Sequence, residues 1–446
     1  MNGASKNNIE IIRYLGLCTG CGTCVSVCPN AAIHMVRNES GLFVPEVDRV
    51  SCSNCGLCLM CCPGYSMIDV NNISKMSTLI FGREAKHEVL GNYIKCYIGY
   101  AVDYNTRYNA SSGGVVTALL MYLLEEGIID GALVVRMSKK DPLEPEVFIA
   151  KNPNEVASAK GSKYCPVPMN IGLREILNTP GKFAVVGLPC HIHGIRKFEL
   201  INKKLKDKIF IRLGLFCSNT ASFLGTEYFL KWWGVNREEI RGIKYRGMGW
   251  PGMITVLLRR GKLLIPRGPI EKSFSRKTLF YSAFHYDFMP PRCLLCIDIT
   301  CQLADVSFAD PWLPEILEKE RVGKTLIVSR SELGDRMLRE AASHGRIQLS
   351  EIRPLNVLRA GNIHYKRQIY RHLWVLSLFN RSFPAHIIKE RGKNPIRLLE
   401  ALLYLPSLYS RKKYLWPMIY IASFYRAIAL SIASKILYSI AKSVNS

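Results

Sequence analysis

The sequence predicts an α/β core, preceded by a small cysteine-rich α+β module and followed by a C-terminal helical extension. Three observations carry this. The cysteines crowd into two near-identical runs close to the N-terminus. From Tyr93 onward, apolar strand-like stretches alternate with helical ones, which is the pattern of α/β architecture. After about residue 345 the chain becomes helical and basic. A chain of 446 residues exceeds one ordinary domain. The expected division is 1–80 for the module, 90–170 and 171–345 for the two parts of the core, and 346–446 for the extension.

Composition narrows the class. With 48% hydrophobic and 21% charged residues, the chain can bury a sizeable core and is not disordered. The 16 cysteines do not read as a secreted disulfide scaffold, because Met1 leads into polar "NGASKNN" rather than a basic and then apolar leader. A cytoplasmic address is expected, and clustered cysteines there are metal ligands. The net charge of +25 belongs to the body of the chain. Within residues 1–75, Lys6, Arg13, Arg37, Arg49 and Lys75 are cancelled by Glu10, Glu39, Glu46, Asp48 and Asp69. A basic body suits phosphorylated cofactors, an acidic partner or anionic lipid. No nucleic-acid partner is expected, since no helix-turn-helix, zinc-finger or RNA-binding signature accompanies the charge.

The module comes first. "CTGCGTCVSVCPNAAI" is echoed by "CSNCGLCLMCCPGYSMI". Cys18, Cys21, Cys24 and Cys28-Pro29 have the spacing C-x2-C-x2-C-x3-C-P, and Cys52, Cys55, Cys58 and Cys62-Pro63 repeat it. In such a double-cluster ferredoxin run, three thiolates hold one [4Fe–4S] cluster and the fourth reaches across to the other. One cluster is therefore assigned to Cys18, Cys21, Cys24 and Cys62, and the other to Cys52, Cys55, Cys58 and Cys28. Cys61, Cys96 and Cys165 read as buried hydrophobes. Residues 69–90, with turn residues and mixed charge, read as a linker.

In the core, "CYIGYAV" and "GALVVRM" are strand candidates on either side of a helical "GGVVTALLMYLLEEGIID". "KFAVVGLPCHIHGIRKF" reads as strand, tight turn and helix, and "IFIRLGLFCSN" as a buried strand ending at a cysteine. Cys190 and Cys217 thus sit at strand ends, where ligands gather in α/β sheets. "PPRCLLCIDITC" adds the Cys293, Cys296 pair and Cys301. Two strand-end thiols plus one C-x2-C could hold a third cubane. Equally, they could be core cysteines beside a zinc site. The loop "NASSGGVVT" could present Ser111, Ser112, Gly113, Gly114 and Thr117 to a phosphate at a helix N-terminus, or could be an ordinary cap and turn. Lys163, Tyr164, Lys244 and Arg246 lie beside turns, either as solvated side chains or as partners of an anionic cofactor. Asp310 caps a turn, and His191 and His193 flank Cys190 as structural histidines or a proton relay.

Taken in order, the double-cluster module is followed by "SSGGVVTALLMYLLEEGIIDGALVV", "GSKYCPVP", "VGLPCHIHGIRK", "GLFCSN", "KYRGMGWPG" and "RCLLCIDITCQLADVSFADPW". From about residue 15 to about 345 this resembles the beta subunit of coenzyme F420 hydrogenase/dehydrogenase. That family includes the F420-reducing hydrogenase and F420-linked formate dehydrogenase beta subunits and the F420H2 dehydrogenase input subunit. It also includes the 7-hydroxymethyl chlorophyll a reductases. The resemblance implies an α/β flavin-binding core holding FAD, and a third [4Fe–4S] cluster on Cys190, Cys217, Cys293 and Cys296. It makes Ser111, Ser112, Gly113, Gly114, Thr117, Lys163, Tyr164, Lys244 and Arg246 the candidate cofactor residues. Cys301, Ala309 (where glycine is commoner) and His191 (where glutamine is commoner) depart from the family pattern, and none of these changes removes an assigned ligand.

The implied chemistry is hydride exchange between coenzyme F420 and FAD, with single electrons passing through the clusters to a ferredoxin or a partner redox subunit. Flavin joins two-electron to one-electron chemistry, and no side chain need act as a catalyst. Two other functions share the same parts: a ferredoxin-driven reductase of another organic substrate, and a non-enzymatic electron-transfer subunit. In the extension, residues 401–446 carry six Lys or Arg and no Asp or Glu. The apolar stretches 414–425 and 427–434 are too short to span a bilayer. They read as a helical lid on the core or as an interfacial helix at the inner face of a membrane.

Overall fold

Each cysteine run folds as a tight loop feeding a single helical turn. In the computed structural model, which describes residues 7–67, 69–266, 279–360, 372–378, 393–423 and 425, Thr23–Val27 and Leu57–Met60 are these turns. Gly22 and Gly56 precede them with φ of 82° and 75°, a left-handed conformation that glycine adopts without cost. Between the runs, β1 (Ile33–Arg37) and β2 (Phe43–Val47) form an antiparallel hairpin.

The segment expected to be a linker contains a helix, Val70–Phe81. Asp69 caps it by accepting from Asn71 N, and Gly82 ends it with φ 66°. The face carrying Ile73, Met76 and Ile80 packs into the core, and this helical spacing is masked in the sequence by the surrounding polar residues.

The core is an eight-stranded mixed sheet. Its strands are β3 (Lys95–Ala101), β4 (Gly131–Met137), β5 (Pro145–Ala150), β6 (Phe183–Gly187), β7 (Ile209–Leu215), β11 (Val306–Ala309), β12 (Thr325–Ser329) and β13 (Ile347–Glu351). They lie in the order β13-β3-β12-β11-β7-β6-β4-β5. Strands β11, β7, β6 and β4 are mutually parallel, and the remaining pairs are antiparallel. Strand β13 falls within the stretch expected to be helical. Its alternation Ile-Gln-Leu-Ser-Glu suits an edge strand, and it extends the sheet beyond residue 345.

Residues alternate between the sheet's two faces. Leu133, Phe183, Val185 and Ile209 point to one side, and Ala132, Val134, Ala184 and Ile211 to the other. The helices Val115–Glu125 and Glu332–Ser343 cover the second side. The helix Pro189–Ile201 covers the first, and there the cysteine-rich module joins the same apolar core through Ile9, Leu17, Cys24, Ile33 and Ile73. The module is thus part of one hydrophobic interior with the sheet.

A third cluster of buried residues lies under the antiparallel sheet β10-β9-β8, in which β8 is Ile240–Lys244, β9 Met253–Leu258 and β10 Lys262–Pro266. The described part of the extension packs against it. Trp416 and Ile419 are buried there, Tyr420 stacks on Trp232 with ring centroids 4.2 Å apart, and Ser423 donates to the buried Asp287. Lys413 pairs with Glu227 at 2.6 Å. The apolar stretch 427–434, with Arg426, Lys435 and Lys442, lies outside the described residues. Among the described residues no helix is long and apolar enough to cross a membrane.

Candidate redox centre

The thiols gather in three groups. Cys18, Cys21, Cys24 and Cys62 line a small cavity with Ile9, Met35 and Pro63. The thiols that act electrostatically on Cys24 are Cys21, Cys18, Cys62 and then Cys58, so this inner group faces the next one across Cys24 and Cys58. The outer group contains Cys58, on which Cys55 acts electrostatically, and the exposed Cys55 itself. Asn30 Nδ2 donates to Ser51 O at 2.8 Å, which draws the Cys28 turn towards Cys52.

The third group is assembled by the sheet. Strands β6, β7 and β11 are parallel neighbours, so their C-terminal ends share one edge. Cys190 starts the helix after β6, and Cys217 follows β7, with its N–H donating to Ile299 O at 2.9 Å. Cys21, Cys217, Cys296 and Cys293 are the thiols acting on Cys190. The loop 290–301 therefore brings its Cys-x2-Cys pair to the strand-end cysteines, and Cys190 also looks back to the inner group through Cys21. Cys301 lies deeper. It is fully buried with φ 55°, and its Sγ would sit 2.5 Å from a Cβ on Gly214 of β7.

These surroundings fit iron–sulfur clusters. Backbone N–H groups point at cysteine sulfurs: Gly20 at Cys18 (3.4 Å), Ala32 at Cys28 (3.4 Å) and Gly64 at Cys62 (3.3 Å). Burial pushes the Cys18 thiol up to about 12 and raises Cys24, Cys62 and Cys190 further, with neighbouring thiols adding to it. Thiols so placed become thiolates only by binding metal and releasing protons. Among the described residues, no three His, Cys, Asp or Glu side chains close on a single metal ion.

Several buried contacts lock the module to the third group. Asn170 N donates to Cys21 O at 2.9 Å, and its Nδ2 donates to Thr23 Oγ1 (2.7 Å) and His191 O (2.9 Å). Ser26 Oγ donates to Asn170 O at 2.7 Å. Arg174 reaches the carbonyls of Val25 and Cys28, Lys197 that of Cys62, and Arg292 those of Leu17 and Gly64. None of these residues stood out in the sequence. Arg292, immediately before Cys293, was the one with a positional hint. The helix carrying Cys190 is itself pinned by a buried network in which Arg196 and Arg212 pair with Glu199 and Asp305. His191 accepts from Leu188 N at Nδ1 and meets Val167 O at Nε2, and His193 Nε2 meets Ser66 Oγ. Both histidines hold structure.

The candidate cofactor residues share the same sheet edge, because β3 ends and β12 begins beside the end of β11. Gly113 N donates to Thr325 Oγ1 (2.8 Å), Ser112 Oγ meets the same oxygen (3.0 Å), and Ser111 Oγ accepts from Ser162 N and Oγ. Gly114 opens the helix Val115–Glu125 with φ 76° and no side-chain cap. The N–H groups at that helix start, up to Thr117, are the donors suited to an anion. Lys163 donates to Gly161 O at 2.9 Å, and burial lowers it to about 8. Tyr164 sits among Tyr245, Phe280, Phe284 and His285. Lys244 is exposed. Arg246 is buried and engaged by Asp310 at 2.5 and 2.9 Å, where Trp250 Nε1 also donates to Asp310. The edge thus brings together the start of the helix Val115–Glu125, a half-buried Lys163 and the rings around Tyr164, with Arg246 shaping the turn behind them.

Comparison with known proteins agrees with this layout. Residues 17–64 match a 4Fe-4S dicluster domain. Residues 96–174 match the N-terminal model, and residues 181–354 the C-terminal model, of coenzyme F420 hydrogenase/dehydrogenase, beta subunit. The chain belongs to this family. It is an iron–sulfur member with an N-terminal ferredoxin-type module and a mixed α/β sheet domain. The coenzyme F420 hydrogenase subunit beta of Methanosarcina barkeri is 26% identical over 281 residues, covering 60% of this chain and 87% of its own length. A coenzyme F420-dependent sulfite reductase of Methanocaldococcus jannaschii is 27% identical over 375 residues, 80% of this chain but 50% of that protein. A subunit of the F(420)H(2) dehydrogenase of Methanosarcina mazei is 28% identical over 213 residues, covering 47% of this chain and 55% of its own. Among solved structures, a chain of the F420-reducing [NiFe] hydrogenase complex from Methanosarcina barkeri superposes with a TM-score of 0.50 at 23% identity. It covers 69% of this chain and 98% of that one, a likeness of fold.

Proposed function

We propose that this protein is an iron–sulfur flavoprotein oxidoreductase that moves electrons between coenzyme F420 and a ferredoxin-like or subunit partner. The observation that carries this reading is Cys190, on whose thiol Cys21 of the inner group acts together with Cys217, Cys296 and Cys293. On this reading Cys190, Cys217, Cys293 and Cys296 would hold one [4Fe–4S] cluster. Cys18, Cys21, Cys24 and Cys62 would hold a second, and Cys28, Cys52, Cys55 and Cys58 a third. Cys55 is exposed, which suits an exit to a redox partner.

FAD bound at the sheet edge would convert a hydride from reduced F420 into single electrons. Around it, the start of the helix Val115–Glu125 would hold phosphate, while Lys163 and Tyr164 would meet the ring. Arg246 keeps the 246–252 turn in place through Asp310 rather than binding the cofactor itself. The described part of the extension serves as a lid over the β8–β10 unit.

The test follows the absorbance of coenzyme F420 anaerobically, with reduced F420 added to FAD- and cluster-loaded protein and a viologen as acceptor. Recovery of the oxidised deazaflavin band, lost in Cys293→Ala while flavin is retained, is the expected result. No recovery, with flavin still bleached by reduced ferredoxin, would overturn F420 as substrate in favour of another organic one.

A further inference from the structure

Two cations stand beside the inner thiol group with no carboxylate to answer them. Arg292 is 2% exposed. Its Nε donates to Leu17 O (3.2 Å) and Gly64 O (3.0 Å), its Nη2 donates to Gly64 O (2.7 Å), and its Nη1 is buried without a hydrogen bond. Lys197 Nζ donates to Cys62 O at 2.8 Å. Neither pairs with an Asp or Glu among the described residues. Arg196 and Arg212, by contrast, pair with Glu199 and Asp305, and Arg246 pairs with Asp310, while the buried Arg330 has all three of its guanidinium nitrogens on hydroxyl or carbonyl oxygens.

A desolvated cation lacking a counter-charge costs free energy that a nearby anion offsets, and the buried Arg292 Nη1 has no hydrogen bond to offset it. Every contact these two make falls on the inner loop, since Leu17 precedes Cys18, and Gly64 and the Cys62 carbonyl flank the Cys62 thiol. Arg292 acts electrostatically on Cys18, and Lys197 is acted on by Cys62, Cys61 and Cys21. Among the described residues, the cation that reaches the Cys28 turn is the half-exposed Arg174, on the carbonyls of Val25 and Cys28. The two groups share a ligand spacing but not an electrostatic environment.

Resting on the three-cluster reading above, we infer that Arg292 and Lys197 are positioning cations that raise the reduction potential of the inner cluster above that of the outer one. Four thiolates and a cubane are anionic together, and reduction by one electron adds one further negative charge without breaking a bond. A fixed positive charge beside the cluster favours the reduced state, and burial strengthens the effect. The inner position then holds the electron between the third cluster and the surface, and passage outward to Cys55 is uphill until a partner accepts it.

The experiment uses the full chain, loaded with iron and sulfide. Iron and sulfide analysis counts the clusters. Stepwise anaerobic reduction with dithionite, followed by electron paramagnetic resonance, then gives each potential. Arg292→Met and Lys197→Met are expected to lower the inner cluster's potential and leave the outer one unchanged, while Arg292→Lys keeps the wild-type value. Unchanged potentials in a fully loaded Lys197→Met protein would overturn the inference, as would a shift in Arg292→Lys equal to that in Arg292→Met, which would mark shape rather than charge. Lys197→Met decides even if Arg292→Met does not assemble, because Lys197 is half-exposed and touches a single carbonyl. A wild-type chain holding clearly fewer than about 12 irons overturns the three-cluster reading instead.

Discussion

Asn170 holds Thr23 across the joint between the cysteine-rich module and the sheet, its Nδ2 donating to Thr23 Oγ1 at 2.7 Å. The joint is this close because residue 194 has no side chain. A Cβ there would lie 2.2 Å from Thr23 Oγ1 and 3.1 Å from Asn170 Nδ2. The distance between Cys21 and Cys190 depends on that fit.

Gly194→Ala is therefore expected to destabilise the protein by about 1–3 kcal/mol, the usual cost of an extra methyl in a packed interior. Urea unfolding would measure the loss. Electron transfer between the third and inner clusters should slow in parallel, as seen in rapid-mixing absorbance, because the module must move to admit the methyl group.

Asp305 predicts a pH dependence. Burial alone would raise its carboxyl, but the Arg196 and Arg212 guanidiniums outweigh that and hold it below the ordinary aspartate value. Its contribution to stability is therefore complete above about pH 4, the unfolded value, and is lost as pH falls through the lower folded value. Asp305→Asn should remove that part of the acid sensitivity. It should also cost about 3–5 kcal/mol at neutral pH by leaving two buried arginines under-compensated. Thermal unfolding of both proteins between pH 7 and pH 3 would show it.

Cys293 and Cys301 should behave differently in iron analysis. Cys293 faces Cys190 in the third group, whereas Cys301 packs against Gly214 behind it. Cys293→Ala is expected to lose about one third of the bound iron, and Cys301→Ala none. Equal losses would move Cys301 into the ligand set.

Asp310→Asn tests the turn behind the flavin edge. The change removes the charge that engages Arg246 and weakens the bond from Trp250 Nε1. Retained flavin, read as the FAD-to-protein ratio after gel filtration, should fall several-fold, while iron content stays at the wild-type level. A ratio equal to wild type would separate the turn from cofactor binding.

Much of the architecture was legible because it is written locally. The two cysteine runs, the strands around Cys96, Val134, Val185 and Leu213 and the helix from Val115 each show their pattern within a dozen residues. Several elements were hidden, two of them against expectation. The helix Val70–Phe81 carries its apolar face among asparagines and serines, and β13 is a short half-polar edge strand. The serine and glycine loop was legible as a cap before a helix. That Thr325 takes the Gly113 N–H, or that Asp310 occupies Arg246, was not, because each partner lies more than 60 residues away.

The sequence by itself determined that this chain carries a double-cluster ferredoxin module ahead of an α/β core, since ligand spacing and hydrophobic period are properties of short segments. Only the tertiary structure decided that Cys190, Cys217, Cys293 and Cys296 meet, that Cys301 stands behind them, and that Arg292 and Lys197 face the inner thiols. Those relations arise where parallel strands end at one edge and a helix packs on a distant loop. They depend on how the elements are arranged in space, which spacing along the chain does not encode.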